Sequence, residues 1–75
     1  LGGSWAQRDV WVRMLIDSAI KSGRAKIAIG LLAERLAAQP SSAPAWHLYS
    51  EELRKIGATL EAEKARLKSE SLLVQ

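Results

Sequence analysis

The feature that most constrains this chain is a repeat within its own sequence. Gly23 and Gly57 lie 34 positions apart (57 − 23), and each follows a stretch with helical periodicity. Other pairs at the same separation are Ala28 and Ala62, Val12 and Trp46, Leu15 and Tyr49, and Ala19 and Leu53. A fixed period of this length is typical of stacked helical units, none of which buries its apolar face alone. The sequence therefore predicts two equivalent units, at about residues 9–42 and 43–75.

The first helix is predicted over about residues 5–22. Ser4 and Gln7 have the spacing of a capping box. Apolar residues then recur at the spacing of one helix face: Val12, Leu15, Ile16 and Ala19. Gly23 ends the helix, because glycine adopts the left-handed conformation of a helix terminus at little steric cost. Residues 1–4 are predicted to be a linker or an expression-vector remnant outside the fold.

The second helix is predicted over about residues 24–39 and stops before Pro40. Its apolar face consists of Ala25, Ala28, Ile29, Leu32 and Leu36, with Ile27 and Leu31 beside them. Gly30, in the interior, costs about 1 kcal/mol of helix propensity relative to alanine. We therefore expect a neighbouring helix to come close at this glycine.

The second unit is predicted to repeat this arrangement. Ser42 is expected to cap a third helix over about residues 43–56, with Pro44 in its first turn. The predicted buried stripe is Trp46, Tyr49, Leu53 and Ile56. Thr59 is expected to cap a fourth helix that ends near Leu73. The chain is thus predicted to be all-α, with two tandem antiparallel helical hairpins in a single domain of residues 5–75.

The period and the residue types resemble the tetratricopeptide repeat. In the second unit Trp46 and Ala62 match the family's tryptophan and alanine, and in the first unit Ala28 and Pro40 match its alanine and proline. The second unit departs from the pattern at Arg66, where the family has an aromatic residue. The resemblance implies a fragment of a right-handed α-solenoid, taken from a larger repeat protein, that binds other proteins without catalysis. It also implies that the first and third helices line a groove for a peptide or a partner's helix.

The residues expected to line that groove form two polar stripes with flanking residues. They are Arg13, Asp17, Ile20 and Lys21 on the first helix and His47, Glu51, Arg54 and Lys55 on the third. A groove with this excess of cations suits an acidic peptide or one that ends in a carboxylate. The alternative is that Arg13–Asp17, Asp17–Lys21 and Glu51–Lys55 are solvated helix pairs, each contributing about 0.2–0.5 kcal/mol to stability.

A second hypothesis is that the chain associates with itself. Two repeats leave apolar ends, whereas at least three are normally needed for stability. The residues expected to form that contact are Val10, Met14, Leu60, Leu67, Leu72 and Leu73. The sequence thus leaves open a homo-oligomer beside the protein or peptide partner.

Composition argues against other classes of function. The chain has no cysteine and one histidine, His47, so we expect no metal site, no cofactor, no small-molecule substrate and no catalytic residues. The net charge of +3 is spread over helices that mix both signs, which disfavours nucleic-acid binding. No apolar run approaches the roughly 20 residues needed to cross a bilayer. The cellular compartment stays open.

Overall fold

The computed structural model describes the backbone of residues 2–73 and the side chains of residues 10–73. Within residues 2–73 it contains four helices and no strand. The helices are α1 (Gly2–Lys21), α2 (Ala25–Ala38), α3 (Ala43–Lys55) and α4 (Thr59–Leu73). The predicted all-helical class and the number of helices are confirmed.

Helix α1 begins at Gly2, ahead of the start predicted near residue 5. The backbone at Ser4 is therefore helical, whereas a capping residue lies at the boundary of its helix. Once a helix has nucleated, each added residue costs little and gains a backbone hydrogen bond. The side chains of the predicted capping box and of Trp5 lie outside the described residues.

Two turns of the same geometry close the two hairpins. Gly23 and Gly57 have positive φ angles of 75° and 83°. The amide of Arg24 donates to the carbonyl of Ala19 at 2.8 Å, and that of Ala58 donates to Leu53 at 3.0 Å. Each glycine amide also donates to the carbonyl three residues before it, at 3.1 Å in both turns. These bonds make the Schellman motif, in which glycine takes the left-handed position. The 34-residue period therefore repeats in backbone geometry.

The link between the hairpins is capped as predicted. The Ser42 hydroxyl accepts a hydrogen bond from the Ala45 amide at 3.4 Å, and a proline occupies the first turn of α3. The Trp46 indole N–H donates to the Pro40 carbonyl at 2.8 Å, which ties α3 to the connecting segment.

The predicted cap of α4 is wrong by one residue. The Ala62 amide donates to the Ala58 carbonyl at 2.9 Å, so Ala58 holds the capping position and Thr59 is the first helical residue. The Schellman turn sets this boundary, because the Ala58 amide already donates to the Leu53 carbonyl of α3.

Each helix packs on its neighbours in the chain, and α2 lies between α1 and α3. One core cluster joins the first three helices through Ile16, Leu32, Leu36 and Ala45. The second cluster joins α3 to α4 through Leu53, Ala62 and Ala65. Trp46 and Tyr49 contact both clusters and meet edge to face, with ring centroids 5.9 Å apart. The Ser69 hydroxyl donates to the Ala43 carbonyl at 3.1 Å and pins α4 to the start of α3.

Three expectations about burial are wrong. Leu15 and Ile56, placed in buried stripes by periodicity, are exposed. Leu15 is 43% exposed, and Ile56 follows the last residue of α3 as its C-cap. Gly30 is also exposed, and a Cβ added there meets no atom within 4 Å. The residues that permit close helix packing are instead Ala28 and Ala62, which are fully buried.

Candidate functional site

A cleft of about 370 Å³ opens between α1, α2 and the first turns of α3. It is formed because α2 lies between α1 and α3, and α3 enters only through its first turns. The residues that line it are Arg13, Ile16, Asp17, Ile20, Leu32, Arg35, Ser42, Pro44, Ala45 and Leu48.

The floor of the cleft is apolar and belongs to the core. Ile16, Leu32 and Ala45 are buried members of one hydrophobic cluster. Leu48 also lines the cleft and is exposed. An apolar floor with a few convergent polar groups is the usual composition of a binding site.

The charged residues of the cleft carry a net positive charge. Arg13 and Arg35 contribute two guanidinium groups, and Asp17 contributes one carboxylate. The Asp17 carboxylate lies 3.0 Å from the Lys21 ammonium, in one of the helix pairs predicted from the sequence. Each guanidinium has five N–H donors and can therefore serve more than one acceptor. The arrangement is suited to an apolar side chain next to a carboxylate.

The structure brings together one part of the predicted groove. Arg13, Asp17 and Ile20 line the cleft together with residues of α3. The remaining predicted residues lie outside its lining: Lys21, His47, Glu51, Arg54 and Lys55. The α3 residues that do reach the cleft come from its first turns, because that end of α3 lies beside α1.

The predicted ion pair between Glu51 and Lys55 is wrong. Glu51 lies 3.5 Å from the His47 imidazole, whereas Lys55 lies 2.6 Å from Glu52. Glu52 is buried, so its carboxylate attracts the lysine more strongly than the solvated Glu51 does. Lys55 also lines a shallow recess beside the start of α2, away from the cleft.

Sequence reasoning missed most of the cleft. It assigned Ile16 and Leu32 to the core alone, and it gave no role to Arg35, Ala45 or Leu48 in binding. One signal was present: Arg35 comes three residues after Leu32 and directly before Leu36, so a cation flanks the apolar face of α2. The remaining residues meet through the packing of three helices, which periodicity does not specify.

The residues predicted for self-association are divided between the two ends of the molecule. Val10 and Met14 are exposed on α1, and Leu60, Leu67 and Leu73 are exposed on α4. Leu72 is half-buried. No single continuous patch can therefore be assigned to the whole set.

Two kinds of feature are absent from the described residues. They contain no group of three histidine, cysteine, aspartate or glutamate side chains placed to hold a metal ion. None of their helices has the length and apolar character needed to span a membrane.

Comparison with known proteins identifies no relative: no protein family, curated protein or solved structure matches the chain.

Proposed function

We propose that this chain is a non-catalytic protein-interaction module that binds an acidic segment of a partner protein in the cleft between α1, α2 and α3. The observation that carries the proposal is the combination of an apolar floor with two arginines in the lining of the cleft. The two hairpins are proposed to stack as tetratricopeptide repeats do, and their equivalent Schellman turns support this.

The chemistry of the cleft favours a particular kind of segment. A carboxylate that accepts hydrogen bonds from Arg13 or Arg35 gains a charge-assisted interaction of about 1.5–3 kcal/mol. An apolar side chain next to that carboxylate would cover Ile20 and Leu48, which are partly exposed to solvent. The ligand class is therefore a peptide with an apolar residue beside an acidic residue or a terminal carboxylate.

Selection from a phage-displayed library of random peptides on the immobilised chain tests this proposal. We expect enrichment of peptides that combine acidic and apolar residues. Arg13→Glu should weaken binding of the selected peptides by about tenfold or more, which corresponds to about 1.4 kcal/mol. Leu48→Asp should also weaken it, because it places a carboxylate beside the apolar floor.

Arg54→Glu is the matched control, since it makes the same charge change on α3 outside the cleft. Equal losses for Arg13→Glu and Arg54→Glu would mean that the selected peptides respond to overall charge. Enrichment of basic peptides would likewise contradict the assignment. Circular dichroism of each variant verifies that the helices are intact.

A further inference from the structure

The outer face of α1 is apolar and open to solvent. Trp11 and Leu15 are 63% and 43% exposed, and Val10 and Met14 beside them are also exposed. Their spacing places them on one side of the helix. A contiguous apolar face of this kind marks an interaction surface more often than an isolated apolar residue does.

The internal repeat identifies what this face corresponds to within the chain. A shift of 34 positions takes Trp11 to Ala45 and Leu15 to Tyr49. In α3, Ala45 is 3% exposed and belongs to the same cluster as Leu32 of α2, and Tyr49 packs against that cluster. The exposed face of α1 that carries Trp11 and Leu15 therefore corresponds to the face of α3 that packs against α2.

The opposite end of the molecule differs in chemistry. Helix α2 packs toward α3 through three apolar residues: Ile29, Leu32 and Leu36. The equivalent positions of α4 carry three charged residues: Glu63, Arg66 and Glu70. The Arg66 guanidinium pairs with both carboxylates, and its Nε donates to Glu63 at 3.1 Å. Helix α4 thus presents ionic side chains where α2 presents aliphatic ones.

The exposed leucines of α4 lie outside that face. Leu60 and Leu67 correspond to Lys26 and Ala33 of α2, which are exposed although α2 is packed on both sides. They therefore do not replace the aliphatic contact that α2 makes.

We infer that the outer face of α1 is a docking surface for the second helix of another hairpin of this kind, with aliphatic residues at the spacing found in α2. The ionic face of α4 disfavours the same kind of stacking at the other end of the molecule. A second copy of this chain is not the occupant, because its α2 is already covered by α3. Its α4 would have to bury Glu63, Arg66 and Glu70 against Trp11, and such burial is costly.

The test changes the ionic face of α4 into a copy of the α2 face in the full chain. The triple variant Glu63→Ile, Arg66→Leu, Glu70→Leu carries the aliphatic residues that α2 uses. We expect the original chain to be a monomer in sedimentation velocity. The triple variant should form head-to-tail oligomers, because its α4 can dock on α1 of the next copy and the contact does not close. Adding Trp11→Glu should restore the monomer.

A control variant introduces the same three aliphatic residues on another face of the same helix. Glu61→Ile, Lys64→Leu, Lys68→Leu has identical spacing at exposed positions. Any association that it causes should persist when Trp11→Glu is added, because α1 is not the surface involved. If Trp11→Glu abolished the association of both triple variants, the attraction to Trp11 would be nonspecific, and the inference would be overturned.

Two further measurements keep the inference falsifiable. Leu15→Cys introduces a thiol into a chain that has none, and its reaction with a disulfide reagent should slow by about tenfold or more in the oligomers. Unchanged reactivity, or a triple variant that stays monomeric, contradicts the docking surface. Trp11→Glu in the original chain should leave the denaturation midpoint and the helical circular dichroism signal unchanged, because Trp11 is exposed. The inference would be overturned if Trp11→Glu unfolded the chain. It would also be overturned if the original chain formed a dimer and Trp11→Glu abolished that dimer.

Discussion

The Lys55 ammonium lies 2.6 Å from the Oε2 atom of Glu52, a side chain that is 3% exposed. The other carboxylate oxygen of Glu52 is buried and accepts no hydrogen bond from the described residues. Lys21, which occupies the equivalent position in the first unit, instead pairs with the exposed Asp17. Two equivalent lysines thus make pairs that differ in burial, and this difference yields a direct test.

Replacing the two lysines by methionine should have unequal effects. Lys55→Met leaves the buried Glu52 without its cation, which costs about 1–3 kcal/mol of unfolding free energy. Lys21→Met removes an exposed pair and should cost less than about 0.5 kcal/mol. Urea titrations of both variants measure the difference. Equal losses of unfolding free energy would show that the buried pair with Glu52 contributes no more stability than the exposed pair with Asp17.

The glycines of the chain should respond in opposite directions to alanine. Gly30→Ala should raise the unfolding free energy by about 0.5–1 kcal/mol, because Gly30 is an exposed helical residue with room for a Cβ. Gly57→Ala should lower it by about 1–2 kcal/mol, because its φ of 83° is unfavourable for alanine. Thermal and urea unfolding measure both. A loss of stability on Gly30→Ala would contradict the exposed placement of that residue.

Ion pairing with Arg66 should make the Glu63 carboxyl unusually acidic. The Arg66 guanidinium hydrogen-bonds to it and lowers its pKa below the ordinary value of 4.5. A lowered folded-state pKa means that the carboxylate stabilises the fold above about pH 4.5, and that this contribution is lost as the pH falls through the folded value. Carbon-detected NMR titration should show the shift, and Arg66→Met should return the Glu63 pKa toward 4.5. The site is exposed, so high salt should reduce the shift. An unchanged pKa in Arg66→Met would refute the assignment.

Enlarging the small residue between α3 and α4 should destabilise the protein. Ala62 is 1% exposed, so Ala62→Leu forces side chains or helices apart and should cost about 1–3 kcal/mol. Ala33→Leu is the control, since Ala33 is on the solvent face of α2 and its replacement should be nearly neutral. Chemical denaturation distinguishes the two. If Ala62→Leu left the free energy of unfolding unchanged, α3 and α4 would have space for a larger side chain, and the prediction would be wrong.

The sequence predicted the elements of the fold because their signals are local. Gly23 and Gly57 mark both hairpin turns, since only glycine tolerates the left-handed conformation well. Ser42 marks the start of α3 through a side-chain hydrogen bond within one turn of helix. The error at the start of α4 also has a local cause, because the Schellman turn makes Ala58, not Thr59, the capping residue.

The cleft could be predicted only in part, because its members come from three helices. Periodicity placed Arg13 and Asp17 on an exposed stripe of α1, and both line the cleft. It could not show that Arg35 and Leu48 would join them, since that depends on how α3 crosses the first hairpin. The same limitation misplaced Leu15, which has the spacing of a core residue but is 43% exposed.

By itself the amino-acid sequence determined the four helices, their turns and the 34-residue equivalence of the two hairpins. Each of these follows from residues close together in the chain. Tertiary packing alone decided that Glu52 is buried with Lys55, that the cleft gathers Arg13 and Arg35, and that the apolar face of α1 stays open. These outcomes depend on which helix faces meet, and a side chain's burial is set by neighbours distant in sequence.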